Sequence, residues 1–166
     1  MIKLMDAYEK LESSEIFIEW KMENEDSYLV HFFTMVDSKD VAQDWQIGYY
    51  NPHKDMVVTF IVGQKDIVMN PQTEVFKEHK GIKTFDINLV KINFEQAKDI
   101  SKRVQQEKYS AHLPLKTIFL LQNIEDGQVW NVTYITQSFK TLNIRIDSDN
   151  GDIVSDKIVE IFNFDK

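Results

Sequence analysis

The chain has 166 residues, is 43% hydrophobic and 12% aromatic, and holds only 5 Gly and 3 Pro, a composition that can bury a substantial core and excludes stalks and low-complexity linkers. Its 19 Lys and Arg against 27 Asp and Glu give a net charge of -8, which opposes phosphate backbones and anionic bilayers, so neither nucleic acid nor membrane is an expected partner. The absence of cysteine excludes disulfides, thiolate metal sites and cysteine nucleophiles.

The first residues, Met1 to Asp6, run into charge within one turn and offer no apolar segment of the secretory kind, so the expected location is the cytoplasm. Residues 2–12 place Leu4, Met5, Tyr8 and Leu11 at helical spacing. Ser13-Ser14 before Glu15 then stops this helix and caps a second, which carries Ile16, Phe17 and Trp20 to near residue 23. Residues 28–35 are aromatic, β-branched and apolar on both alternating faces, which predicts an interior strand covered on each side. A second strand over 45–50 puts Trp45, Ile47 and Tyr49 on one face and Tyr50 on the other. A turn at 51–55 leads to a third strand over 56–62.

Residues 64–92 read as a connection between two halves, with a short helix over 71–79 opened by Asn70-Pro71 and stopped by Gly81. Residues 93–108 form the clearest helix. Asn93 with Gln96 three residues on makes a capping box, and Phe94, Ala97, Ile100, Ser101 and Val104 form one stripe, with Lys98, Lys102, Arg103, Gln105 and Gln106 off it. Pro114 prevents continuation. Strands follow over 115–122, 128–135, 141–146 and 153–162, joined so closely that neighbours must be antiparallel. In the turns at 125–127 and 149–151, Gly127 and Gly151 supply positive φ.

Sites of chemistry are not evident. His31, His53, His79 and His112 are far apart without metal-ligand spacing, and His31 reads as a hydrogen-bonded interior residue. The stretch from Asp147 to Asp152 has its Gly fifth and Ile158 twelfth, which fits a turn and not a calcium loop. Without a secretory signal, Asn131-Val132-Thr133 reads as the wet side of a strand. Dinucleotide, phosphate-loop and nucleophile-elbow motifs are missing, so no catalytic residue, metal or cofactor is predicted. Among the aromatics, Trp130 and Tyr134 share the face of Val132 and read as core. Trp45, Tyr49 and Tyr50 are the candidate binding residues, with Tyr50 the most available.

The C-terminal order is a helix opening Phe94-Glu95-Gln96-Ala97, a hairpin with Trp130-Asn131-Val132 in its second strand, then a closing hairpin with Ile144, Ile146, Asp147, Gly151 and Ile153 at its key positions. Over residues 93–154 this resembles the PepSY domain family, in which a helix packs on a small antiparallel sheet. Residues 14–62 read as a degenerate earlier copy, with Trp45-Gln46-Ile47 matching Trp130-Asn131-Val132 and the segment 51–57 matching 147–154. Members of that family are often secreted or membrane-attached, a pattern from which this start departs. The resemblance implies a noncatalytic protein-binding or inhibitory module.

The expected fold is therefore α+β, two tandem PepSY-like or cystatin-like units: residues 1–63, a connection over 64–92, and residues 93–166. Strands apolar on both sides imply that the halves, or the protomers of a homodimer, cover one another. The expected function is noncatalytic binding of a protein partner through a sheet edge or the wet sheet face. A small-ligand carrier with an apolar pocket lined by Trp45 and Phe33 is the alternative, and an acidic hydrolase has only scattered carboxylates behind it.

Overall fold

The computed structural model describes residues 1–74 and 82–160. Among these, three α-helices, α1 (Leu4–Glu12), α2 (Glu15–Glu23) and α3 (Phe94–Lys108), accompany strands β1 (Tyr28–Asp37), β2 (Trp45–Asn51), β3 (Met56–Val62), β4 (Ile67–Glu74), β5 (Pro114–Ile124), β6 (Gly127–Thr136), β7 (Lys140–Asp147) and β8 (Ile153–Glu160). The strands form one 8-stranded sheet in the order β4-β3-β2-β1-β5-β6-β7-β8, with every pairing antiparallel. The α+β class is present, and the sheet dominates it.

The starts of α2 and α3 are fixed by side-chain caps. Ser14 accepts a hydrogen bond from Phe17 N at 3.3 Å and caps α2 where α1 has just stopped. At α3 the capping box forms in full, with Gln96 N donating to Asn93 Oδ1 at 3.0 Å and Asn93 N donating to Gln96 Oε1 at 2.9 Å. Asn93→Ala removes one of these reciprocal bonds, so a loss of about 1 kcal/mol is expected in urea unfolding. No change would mean that packing alone holds the helix start.

All three helices pack on one face of the sheet and share a single apolar core with it. Leu4, Ala7 and Leu11 of α1 are buried there, as are Phe94, Ala97, Ser101 and Val104 of α3. Trp45, Ile47 and Tyr49 of β2 face the same way, and so do Trp130, Val132 and Tyr134 of β6. Phe94 lies between the tryptophans, 5.3 Å from Trp45 and 6.2 Å from Trp130 between ring centroids, and the two indoles are 6.4 Å apart. Aromatic rings at these separations add to the burial term through edge and tilted contacts.

A helical segment followed by a four-stranded antiparallel meander occurs twice along the described residues, and the two meanders lie side by side in one sheet. β1 and β5, the first strand of each, pair at the centre from His31 opposite Gln122 to Asp37 opposite Lys116. The expectation that the halves cover one another is corrected here. The apolar outer side of β1 belongs to a central strand and is not a buried interface between layers. Phe33, opposite Leu120, sits where a pseudo-dyad would pass. Related hydrogen bonds repeat on either side of it, from Trp45 Nε1 to Ile2 O at 3.0 Å and from Trp130 Nε1 to Ile92 O at 2.8 Å. Each acceptor lies two residues before a helix, which makes α1 the counterpart of α3.

The first copy therefore starts earlier than residue 14 and extends beyond residue 62. The segment 51–56 joins the second strand of its unit to the third, whereas 147–153 joins the third to the fourth. The counterpart of 147–153 is the turn at 63–66, closed by Gly63 N donating to Asp66 O at 3.0 Å. Within the stretch expected to be a connection, residues 67–74 form β4, an edge strand, and not a helix. Pro71 fits there because the pairing with β3 shifts register between Val57 and Thr59, at a bulge on the edge of the sheet. The rest of the expected helix over 71–79, together with Gly81 and His79, lies outside the described residues, as does the end of the last strand beyond Glu160. Phe85 and Ile87, beside a 3-10 turn at Ile87–Leu89, are buried in the shared core.

Candidate functional site

The aromatic residues singled out for binding are all buried. Trp45 is 0% exposed, Tyr49 4% and Tyr50 5%. Tyr49 faces the helices and donates from its hydroxyl to Glu12 Oε1 at 2.5 Å, and burial together with that carboxylate raises its pKa. Trp45 and Tyr49 thus belong to the core in the way that Trp130 and Tyr134 do. Tyr50 does lie on the opposite face, but its hydroxyl donates to Asp55 Oδ1 at 2.5 Å and its ring meets Tyr28 edge-on at 5.5 Å. It is not an available contact residue.

Trp45 and Phe33 cannot line one pocket. Phe33 is opposite Gln46 in the ladder, so it projects from the side of the sheet away from the helices, whereas Trp45 projects toward them.

That helix-free face carries the most distinctive surface of the molecule. Across β1, β5 and β6 the half-buried residues Phe33, Met35, Ile118, Leu120 and Ile135 form an apolar stripe, with Phe33 directly opposite Leu120 and Met35 opposite Ile118. No described helix or strand lies over it. Polar groups flank the stripe on β6 and β7, where Asn143 Nδ2 donates to Asn131 Oδ1 at 2.5 Å and to Thr133 Oγ1 at 2.9 Å, and Arg145 lies 3.7 Å from Asp126. Toward the opposite end the face is closed. Tyr50 and Val129 are buried there, and residues 82–84 pass beside the strand ends, with Tyr28 donating to Ile82 O and Asn123 to Thr84 O.

His31 lies at the boundary of these two zones. Its ring rests on Gly48, where a Cβ atom would fall 2.2 Å from Cε1, so only glycine fits beneath it. The ring has no hydrogen-bond partner among the described residues, contrary to the sequence expectation. His31 is half-buried, and desolvation by the groups packed around it pushes its pKa down to about 4. At neutral pH it is an uncharged interior group.

Among the described residues no group of three or more His, Asp or Glu side chains could hold a metal ion. The acidic stretch from Asp147 to Asp152 is the β7–β8 turn. The Asp147 carboxylate accepts hydrogen bonds from Asp149 N at 2.8 Å and Asn150 N at 3.2 Å, and Asn150 Oδ1 accepts from Asp152 N. Gly151 takes φ +83°, and its Cα side lies against Ile92 and Ile100, where a Cβ would be 3.2 Å from each. None of the described helices is long and apolar enough to cross a membrane.

A search of protein-family models finds no match for this sequence. No curated protein matches it either. The fold is similar to that of the crystal structure of a candidate lipoprotein from Clostridium difficile 630, with a TM-score of 0.56 and 12% sequence identity over 87% of this chain and 91% of that one. At that identity the likeness extends to the fold alone: a helix-and-sheet architecture of this kind spans nearly the whole of both chains.

Proposed function

We propose that this chain is a noncatalytic protein-binding module that engages its partner through the helix-free sheet face. The observation that carries the reading is the apolar stripe of Phe33, Met35, Ile118, Leu120 and Ile135 at the centre of a face with no described layer over it. An apolar centre flanked on its β6–β7 side by Asn131, Thr133, Asn143 and Arg145 has features of a recognition surface, where a desolvated core supplies affinity and polar neighbours supply register. Two side-by-side copies double the area of a single meander, giving a face broad enough for a folded partner. On this reading each unit is a PepSY-like module, the protein acts in the cytoplasm, and it has no catalytic role. What the name of the similar structure says of attachment applies to that protein.

The test is an affinity capture from the source organism with wild-type and Leu120→Asp chains as bait. Leu120 is half-buried at the centre of the stripe, so a charge there removes the apolar contact and must be desolvated on binding. The variant is expected to lose the captured protein, a weakening on the order of 2 kcal/mol or more, while its far-ultraviolet circular dichroism matches wild type. A partner retained equally by both chains would place the contact elsewhere.

A further inference from the structure

The chain contains one Asn-Gly step, Asn150-Gly151, in the turn that joins β7 to β8. At such a step the backbone nitrogen of the second residue can attack the side-chain amide carbon of the first, and a glycine places no side chain in the way. Asn150 is exposed, so water reaches it.

In the folded turn each reacting group is held away from that chemistry. Gly151 N donates to Asp147 O at 3.0 Å, so the nucleophile is occupied as a donor. Asn150 Oδ1 accepts from Asp152 N at 2.8 Å, and Asn150 N donates to the Asp147 carboxylate at 3.2 Å, which fixes both ends of the asparagine. Gly151 itself, at φ +83°, rests against Ile92 and Ile100. Two further bonds brace the turn from outside, from Lys91 N and Ile92 N to Ser148 O at 2.9 Å each. The weak point is β8. It is an edge strand paired only with β7, the ladder shifts register between Arg145 and Ile146, and Ile153 and Val154 beside the turn are exposed. Strands of this kind open at a lower free energy than the centre of a sheet.

We infer that Asn150 is a site of spontaneous deamidation, guarded by the closed β7–β8 turn and released when β8 leaves β7. Once Gly151 N–H is free of Asp147 O, hydroxide removes its proton and the nitrogen attacks Asn150 Cγ. The bond from Cγ to the side-chain nitrogen breaks, that nitrogen takes a proton from water, and ammonia departs from a five-membered succinimide. Water then opens the ring at either carbonyl, to aspartate or to isoaspartate. The sum is amide and water to carboxylate and ammonium, with no oxidant or reductant. Isoaspartate runs the main chain through the former side chain, one methylene longer, so Gly151 cannot keep both its bond to Asp147 O and its seat on Ile92 and Ile100. Each product also adds a carboxylate beside Asp147, Asp149 and Asp152. Modification therefore marks chains in which the edge hairpin has opened. The inference does not depend on the protein-binding reading.

The test is incubation of the full chain at mildly alkaline pH, in buffer and in guanidinium chloride, with Asn150 followed by mass spectrometry of its proteolytic peptide. Chromatography of the same peptide separates isoaspartate from aspartate. Deamidation at Asn150 is expected to be on the order of tenfold or more faster in denaturant than in the native chain, because the native reaction must wait for the turn to open. Asp147→Ala removes the carboxylate that holds Asp149 N and Asn150 N, and it should speed the native reaction several-fold. Amide hydrogen exchange at Gly151 and Asp152 should quicken with it. The comparison of wild type in the two solvents stands even if that variant fails to fold. Equal rates in buffer and denaturant, no product at Asn150 in denaturant, or an unchanged native rate in a folded Asp147→Ala chain would each overturn the inference.

Discussion

Replacing Trp130 with alanine is expected to reduce the unfolding free energy by about 3–5 kcal/mol, a large share of the ~5–15 kcal/mol that a domain typically has. The indole is fully buried, and its removal opens a cavity against Phe94 at the centre of the duplicated core. It also leaves Ile92 O without the 2.8 Å donor that holds the entry to α3. Trp45→Ala should fall in the same range, because Trp45 occupies the related position and holds Ile2 O in the same way. Trp130→Phe separates the two contributions: it keeps most of the volume and should lose less than the alanine variant. The pair of alanine variants also tests the earlier assignment of Trp45 to a binding surface. If Trp45→Ala left stability within about 0.5 kcal/mol of wild type, as a surface change would, Trp45 would not be a core residue and the duplication would fail at its centre.

The second large effect comes from Gly48 and His31. Gly48→Ala drives a methyl group into the imidazole, with the nearest ring atom 2.2 Å away, and overpacking of this kind lowers stability by roughly 1–3 kcal/mol. In a His31→Ala background the same substitution should be close to neutral, since the atoms it strikes are gone. Additive losses in this double-mutant cycle would show that the ring moves aside. The same pair sets a pH dependence. The folded His31 pKa is about 4 and the ordinary value is 6.5, so between these the unfolded chain binds the proton that the folded chain refuses. This contribution is complete above pH 6.5 and falls as the pH drops toward 4. The shift corresponds to about 2 kcal/mol lost between pH 7.5 and pH 5. Urea unfolding of His31→Ala should lack that slope. Asp156, held below its ordinary value by Lys108 and Tyr109, acts only in the more acidic window below 3.8.

Local signals in the sequence account for much of the fold. Asn93 and Gln96 mark the start of α3 because both hydrogen bonds of a capping box join residues three apart. Gly127 and Gly151 mark their turns because each takes the positive φ that hairpins need. Where the reading diverged, a local signal had two meanings. Asn70-Pro71 opens a helix or sits at a bulge on an edge strand, and only the ladder with β3 selects the second. Apolar residues on both sides of 28–35 suit a covered layer or a central strand. The pairing of His31 with Gln122, 91 positions away, decides between them and has no local trace.

The candidate surface was harder to read for a related reason. Alternation correctly put Tyr50 on the face opposite Trp45 and Tyr49, yet exposure is set by neighbours, and Tyr28 and Asp55 bury it. The same alternation joined Trp45 to Ile47 and Tyr49 as it joined Trp130 to Val132 and Tyr134, and the core reading given to the second set applies to the first. Phe33, Leu120 and Ile135 escaped notice as surface residues because each lies in a strand rich in apolar side chains. The available signal was their common parity on neighbouring strands, which needs the register of β1 with β5 and β6 before it can be seen.

The most direct test of recognition through the helix-free face is site-specific photo-crosslinking. A photoreactive phenylalanine analogue would be placed at Leu120 in one chain and, for comparison, at exposed Met22 on α2 in another. Proposed recognition through the apolar stripe predicts a crosslinked protein adduct from position 120 and none from position 22. An adduct formed from position 22 alone would move the binding surface to the helices and contradict the account.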